Sequence, residues 1–501
     1  MKLLGLNLMV KLSKYTLLIC AIIYIITYLI LVLYRISYPF ELEWCEGSSV
    51  HQVMKILSGE KIYVPPSLEF ISLPYTPLYF YISAAVSKII GIGFTPLRMV
   101  SFISSLGCFL IIFFLVKRET RSNFAGLLSA SLFAATFRTS GAWFDIARVD
   151  SLFLFLLLIS IYIIKLNDSS ISLILAGILV SLSFLTKQTA LIISVPIMFY
   201  CILLNRYRSI FYFGTIILII GGSTLLLNYM HDGWFNYYVF KVPTFAPLLK
   251  NMFVVFWEKD IIAPMVIACS MSVFYLFVQI SKSNKKNFLF YFLTAIGMLS
   301  GALFSRLHLG GYENVLLPAY AIISILFGLA THTALEFIQG IPLNKRKFTE
   351  ICLYLICIIQ FVVLKYDPLS QIPTKEDLAA GKDFINTLSH LQGDIIVPSH
   401  PYLPILAGKR SYAHDYLIYE TLCGNFSLIK AKLNSEIVQA IREKRFSAII
   451  LDSPFPWFQE EISKNYINQG SVFTNPSVFW PVTGRRTRPE FIYVPKRDDS
   501  D

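Results

Sequence analysis

Residues 78–92 read LYFYISAAVSKIIGI. The stretch is apolar, but it is short for a membrane crossing and Lys88 interrupts it. Its reading decides on which side of a bilayer every later loop falls. If it does not cross, the strongly basic loops all share one side: Lys2, Lys11 and Lys14; Lys117, Arg118 and Arg121; Lys165; Arg206 and Arg208; Lys282, Lys285 and Lys286; Lys345, Arg346 and Lys347. If it crosses, the later clusters move opposite the N-terminus. Lys and Arg in short loops collect on the cytoplasmic side, so the first arrangement is the expected one. Residues 78–92 then form an amphipathic helix in the outer interface. About eleven spans follow, at 15–36, 98–116, 123–139, 149–165, 170–186, 188–204, 209–228, 260–280, 287–304, 313–334 and 349–366, with the N-terminus inside and the C-terminus outside.

The bulk properties agree. The chain has 501 residues, 55% of them hydrophobic and 15% charged, and a mean hydropathy of +0.63. Soluble domains carry about a quarter charged residues. A membrane β-barrel would show short alternating segments, so the class is a polytopic α-helical membrane protein. The net charge of +12 sits mostly in the short loops and is a topology signal, not a nucleic-acid one. The apolar run after MKLLGLNLMVKLSKY is too long for a signal peptide and lacks a small-residue cleavage site, so it is expected to be a retained span. Of the eight cysteines, most lie in apolar runs; nothing in the spacing of Cys45 and Cys423 demands a disulfide. There is no CxxC or His cluster to suggest a metal.

Between the first two spans lies a long polar loop, residues 37–97. It holds Glu41, Glu43 and Glu46 within six residues of one another, just past the membrane exit. Residues 48–58, SSVHQVMKILS, place Val50, Val53, Met54 and Leu57 on one helical face, a second interfacial helix. From about residue 367 the composition changes. Pro368 and Pro373 mark a linker between a transmembrane domain, 1–366, and a small extracytoplasmic α/β domain, 367–501. There 375–390 and 434–444 read as helices, 394–397 and 447–452 as strands, and FIYVPKR as a third strand. Arg485, Arg486 and Arg488 read as solvated surface.

This topology gathers unusual polar residues at the outer face: Glu41, Glu43, Glu46, His51, Glu69 and Tyr75; Arg138, Asp145, Arg148 and Asp150; Lys187 and Gln188; Arg306, His308, Tyr312, Glu313 and Asn314. Lys187 sits at a helix end between LSFLT and QTALII, where a charge must be paired or face a cavity; snorkelling is its bland alternative. Arg148 has the planar fork suited to phosphate, and Asp150 opens an apolar span, as a helix-start carboxylate does. A carboxylate among aromatic and apolar groups can act as a base toward a hydroxyl. Taken singly each glutamate is more often structural; the functional case is their convergence with cations on one face.

At these residues the chain resembles the GT-C glycosyltransferases, and more narrowly family 39, which includes protein O-mannosyltransferases and the aminoarabinose transferase of lipid A. The resemblance is carried by CEGSSVHQVMKIL, then PYTPLYFYISA, then Arg148-Val149-Asp150, the turn from Leu182 to Leu191 with Lys187, and the segment Gly311 to Pro318. It covers about residues 35–330. The family's acidic pair is usually Asp-Glu; here Cys45 stands first and Glu46 second, so a role needing two adjacent carboxylates does not carry over.

The resemblance implies an inverting transfer of a sugar from a polyprenyl-phosphate donor to an acceptor hydroxyl on a lipid, glycan or protein, outside a bacterial inner membrane. It singles out Glu46 as base, with Glu43 and Asp150 beside it as catalytic candidates. Arg148, Lys187 and Arg306 are expected to meet the phosphate, and Tyr75, His308, Tyr312 and Asn314 to bind substrate. No cofactor is expected; GT-C members differ in metal use, which leaves a divalent ion open. A lipid-glycan transporter is the runner-up, but spans 149–165 and 313–334 carry few polar groups for a midplane path. A noncatalytic assembly subunit of the same fold is the third reading.

Overall fold

In the computed structural model, residues 2–282, 284–453 and 457–497 are described. Each of the eleven apolar segments corresponds to a helix or to consecutive helical pieces. The first eight helices are α1 (Lys2–Arg35), α2 (Glu46–Leu57), α3 (Leu78–Ile90), α4 (Phe94–Thr120), α5 (Asn123–Ala135), α6 (Asp150–Leu166), α7 (Ser170–Thr186) and α8 (Thr189–Leu204). Among the described residues, six helical stretches are long and apolar enough to cross a membrane by length and composition. Of these, Glu313–Gln339 is almost wholly buried and forms the centre of the bundle. Glycines let neighbours approach it and each other, as small residues do between membrane helices: a Cβ on Gly328 would lie 2.7 Å from the Ala125 carbonyl oxygen, and one on Gly297 would run into that of Ile193.

Helix α3 has 13 residues, about 20 Å at 1.5 Å per residue and too short for a hydrocarbon core of about 30 Å. Its end is apolar and outward-facing, with Ile89 and Ile90 exposed. Helix α2 differs from the expected free interfacial helix. Its apolar residues Val50 and Val53 are fully buried, and a Cβ on Gly47 would meet Tyr402 of the C-terminal region at 2.9 Å. The helix is sandwiched between the bundle and that region, sharing one core with Tyr402, Leu417 and Ile437.

Two long helical stretches contain π-helical turns, Ile217–Gly221 and Phe256–Ile262. Such turns often mark functional positions; the second carries Asp260, discussed below.

The C-terminal region is a four-stranded sheet with order β1-β2-β4-β3. Strand β1 (Asp394–Ile396) pairs parallel with β2 (Phe446–Leu451), and β4 (Phe491–Pro495) is antiparallel to both β2 and β3 (Tyr466–Ser471). Lys375–His390 begins with a capping box from Thr374 and Asp377. The helix expected at 434–444 runs from Ser427 to Arg442, and helices Tyr402–Leu406 and Asp415–Cys423 and strand β3 were not anticipated. One expectation is corrected. Arg488 is not solvated surface: it is 2% exposed, donates to Glu490 at 2.5 Å and to the Val478 carbonyl, and stacks over Phe473 and Trp480. Arg485 and Arg486 are exposed as expected.

Candidate active site

The loop after α1 folds back because Arg98 of α4 collects its carbonyls. Arg98 donates to the backbone oxygens of Arg35, Tyr38 and Phe40 at 3.1, 2.6 and 2.7 Å. It also grips Glu46 with two bonds, Nε to Oε1 at 3.0 Å and Nη2 to Oε2 at 2.6 Å. The Glu46 carboxylate accepts two more, from the amides of Leu42 at 2.7 Å and Ala147 at 2.6 Å. Burial pushes its pKa up, but Arg98 and the two amides outweigh it and hold the group below its ordinary value. Glu46 is fully buried and is not among the residues lining the main cavity.

That cavity, about 280 Å³, opens where the first loop, the α7–α8 turn and the loop around Gly311 meet. Glu43 forms one wall. Burial raises its pKa to about 7, against the opposing pull of Arg148. Its contact with Arg148 is long, 3.4 Å to Nη1. Arg148 Nη2 donates to the Tyr75 hydroxyl at 3.2 Å, and the guanidinium lies over the Tyr75 and Trp143 rings. Lys187 caps the C-terminus of α7 in extended backbone and reaches Asp150 Oδ1 at 2.6 Å. Asn314 donates to the same oxygen at 3.0 Å, while Asp150 Oδ2 has no partner. Asp150 sits in the first turn of α6, where a carboxylate suits the helix dipole. The turn is pinned by Gln188, which donates to the carbonyls of Pro74 and Val239 at 2.9 and 3.1 Å.

Of the residues singled out in the sequence, Glu43, Tyr75, Arg148, Lys187, His308, Tyr312 and Asn314 line this one cavity. Asp150 stands directly behind Lys187. Arg306 is not brought in: it pairs with Asp260 at 2.7 Å and donates to the Gly311 carbonyl at 2.5 Å, which shapes the loop carrying His308 and Tyr312. Glu46 and Arg306 are thus both turned into the protein framework. Among the described residues, no group of three or more His, Cys, Asp or Glu side chains is placed to hold a metal ion.

The C-terminal region supplies site residues that had no sequence signal. Tyr416 and Glu420, on the Asp415–Cys423 helix, line the same cavity. His414 Nε2 lies 3.6 Å from Cys45 Sγ, and its Nδ1 lies 2.8 Å from Asp415 Oδ1. Burial disfavours the charged ring, but Cys45 and Asp415 outweigh it and raise the His414 pKa well above its ordinary value. Cys45 and Cys423 are both free thiols. Further out, His400 bridges Glu41 of the first loop and Asp452, the latter at 3.1 Å.

The family model described as dolichyl-phosphate-mannose-protein mannosyltransferase matches residues 74–228. That segment includes Tyr75, Arg148, Asp150 and Lys187 but begins after Glu43 and Glu46. Among solved structures, ArnT from Cupriavidus metallidurans bound to undecaprenyl phosphate superposes with a TM-score of 0.58 at 11% identity, over 95% of this chain and 97% of that one. The chain has the GT-C membrane glycosyltransferase fold. The archaeal oligosaccharyltransferase AglB from Archaeoglobus fulgidus, in complex with an inhibitory peptide and a dolichol-phosphate, gives 0.56 at 11% identity, over 88% of this chain and 70% of that one. Comparison with curated protein sequences finds no significant match. Within the GT-C fold the cavity lies among the loops that join its helices, roofed by the C-terminal region.

Proposed function

We propose that this protein transfers a sugar from a polyprenyl-phosphate donor to an acceptor hydroxyl at the outer membrane face, with Glu43 as the base. The observation that carries the reading is the composition of this cavity. It sets two cations, Lys187 and Arg148, beside a buried carboxyl whose pKa is about 7. Such a group is partly ionised at neutral pH, which suits a general base. Ile192 and Phe304 also line the cavity, and both are exposed on the outside of the bundle. That is a side exit toward hydrocarbon, as a polyprenyl tail requires.

The step balances without a cofactor. Glu43 takes the proton of the acceptor hydroxyl, whose oxygen bonds to the anomeric carbon. The bond from that carbon to the phosphate oxygen breaks, and its electron pair leaves with the polyprenyl phosphate, stabilised by Lys187 and Arg148. A single displacement inverts the anomeric configuration. Arg148 engaged by phosphate releases its hold on Glu43, which raises the carboxylate's basicity as the donor settles. Asp150 and Asn314 orient Lys187. Glu46, expected as the base, serves in this reading to shape the loop.

The reading is supported by ArnT, which binds undecaprenyl phosphate, and by AglB, which binds a dolichol-phosphate. The test uses purified protein in lipid nanodiscs with undecaprenyl phosphate. Wild type is expected to bind it, and Lys187→Met with Arg148→Gln together to abolish binding while the protein stays monodisperse. Binding that survives the double substitution overturns the reading. Adding undecaprenyl-phosphate mannose and envelope acceptors then tests transfer; binding without turnover on any acceptor favours the noncatalytic subunit.

A further inference from the structure

A second cavity of about 200 Å³ adjoins the first. Trp44, Tyr312, Tyr416 and Glu420 belong to both walls. The outer cavity adds Phe245, Tyr419 and Arg485. Nothing in the transfer step described above uses it. We propose that this outer cavity is the acceptor subsite, that it takes a saccharide, and that Glu420 holds a hydroxyl of that saccharide while its neighbour faces Glu43. The proposal rests on the glycosyltransferase reading for the identity of the reaction, but the saccharide site stands on its own geometry.

Three observations converge. Glu420 is 8% exposed; Tyr416 donates to its Oε1, and its Oε2 has no partner. A buried carboxyl oxygen left unpaired is costly, and a ligand hydroxyl satisfies it. Burial raises the Glu420 pKa to about 7, so the group can both donate to and accept from hydroxyls near neutrality. The walls are the second observation. Trp44, Tyr312 and Tyr419 offer flat apolar faces with a polar edge, and Phe245 adds a wholly apolar one. A pyranose has the matching form, an apolar C–H face ringed by hydroxyls. A hydrocarbon would leave Glu420 unsatisfied. The third is the origin of the walls: Trp44 comes from the first loop, Tyr416, Tyr419 and Glu420 from one C-terminal helix, and Arg485 lies over the Trp44 ring at 5.6 Å. The C-terminal region therefore builds one side of this pocket and does more than cap the bundle.

The test is saturation-transfer NMR on the full chain in nanodiscs. Its probes are methyl glycosides of glucose, galactose and glucuronic acid, a Ser/Thr-containing peptide, and undecaprenyl phosphate. At least one glycoside is expected to bind wild type. Glu420→Ala is expected to weaken it roughly tenfold or more, and Tyr419→Ala, at an exposed position that folding tolerates, to weaken it as well. Tyr419→Ala, whose side chain lines the outer cavity and not the first, should leave undecaprenyl phosphate binding unchanged. Absence of glycoside binding, binding indifferent to both substitutions, or binding of the peptide in place of the glycosides overturns the proposal. If Glu420→Ala fails to fold, Tyr419→Ala decides. Should glycosides bind in a Tyr419- and Glu420-dependent way while undecaprenyl phosphate does not bind wild type, the donor reading fails and the saccharide site stands.

Discussion

Glu43 and Glu46 sit within one turn of each other, joined by a hydrogen bond from the Glu46 amide to the Glu43 carbonyl at 3.0 Å. Both are buried, 1% and 0% exposed. Their environments are opposite. Glu46 accepts from Arg98 twice and from the amides of Leu42 and Ala147. Glu43 has a long contact with Arg148 and a backbone hydrogen bond at Cys45, and it faces the open cavity. The first is held ionised below its ordinary pKa and the second is raised to about 7. Saturated hydrogen bonding makes a carboxylate a clamp. Incomplete pairing beside a cavity makes one available for proton transfer.

The largest effect that could break this contrast comes from the clamp. Arg98→Ala leaves the buried Glu46 carboxylate without its countercharge and with only the Leu42 and Ala147 amides, a loss of about 3–5 kcal/mol. The expected outcome is little folded protein, measured by fluorescence-detected size exclusion after heating. If Arg98→Ala melts like wild type while Glu46→Gln abolishes transfer alone, the roles of the two glutamates are reversed.

Next in size is the base. Glu43→Gln is expected to lower turnover roughly 10²–10⁴-fold with melting unchanged or raised, because a neutral amide relieves a buried acid. In wild type, turnover should rise with pH through about 7 and then level, since the base acts in its ionised form. A profile that falls across that window would show that the ionised carboxylate is not what acts.

Much of this contrast lay beyond the reach of the sequence. The bundle was readable, because eleven long apolar runs separated by short basic loops are strong physical signals. So was the meeting of Arg148, Lys187 and the loop around Gly311, since polar groups at the same membrane edge have few other places to go. The choice among three glutamates was not. It depends on Arg98, more than fifty positions along the chain, and on which oxygen faces empty space. Arg306 misled for the same reason: its partner, Asp260, sits in a π-helical turn that no periodicity announces. Strand β3, YINQGS, is polar because it is an edge, so it lacks the continuous apolar run that reveals β2. Tyr416 and Glu420 reach the cavity only through the docking of the whole C-terminal region.

A smaller substitution sharpens the comparison at Glu43 itself. Arg148 lowers the Glu43 pKa, so Arg148→Gln should move the midpoint of the pH–turnover curve upward. It should also weaken undecaprenyl phosphate binding, roughly tenfold for the loss of one charge-assisted contact. Isothermal binding and a pH series on the same preparation separate the two effects. An unmoved midpoint would mean that Glu43 does not set the profile.

The smallest expected effect comes from the third glutamate, Glu41, which is neither a permanent clamp nor a base. It meets His400, whose other nitrogen meets Asp452. Burial works against the charged ring, but Asp452 and Glu41 outweigh it and raise its pKa from 6.5 to about 10. A histidine whose folded pKa is raised stabilises fully below the unfolded value and loses that contribution as pH climbs through the folded one. The joint between the first loop and the C-terminal region should therefore weaken between about pH 6.5 and 10. Melting temperatures across that range should fall in wild type and fall less in His400→Gln, which has no charge to lose. A wild-type decline surviving unchanged in His400→Gln would place the pH sensitivity elsewhere than this joint.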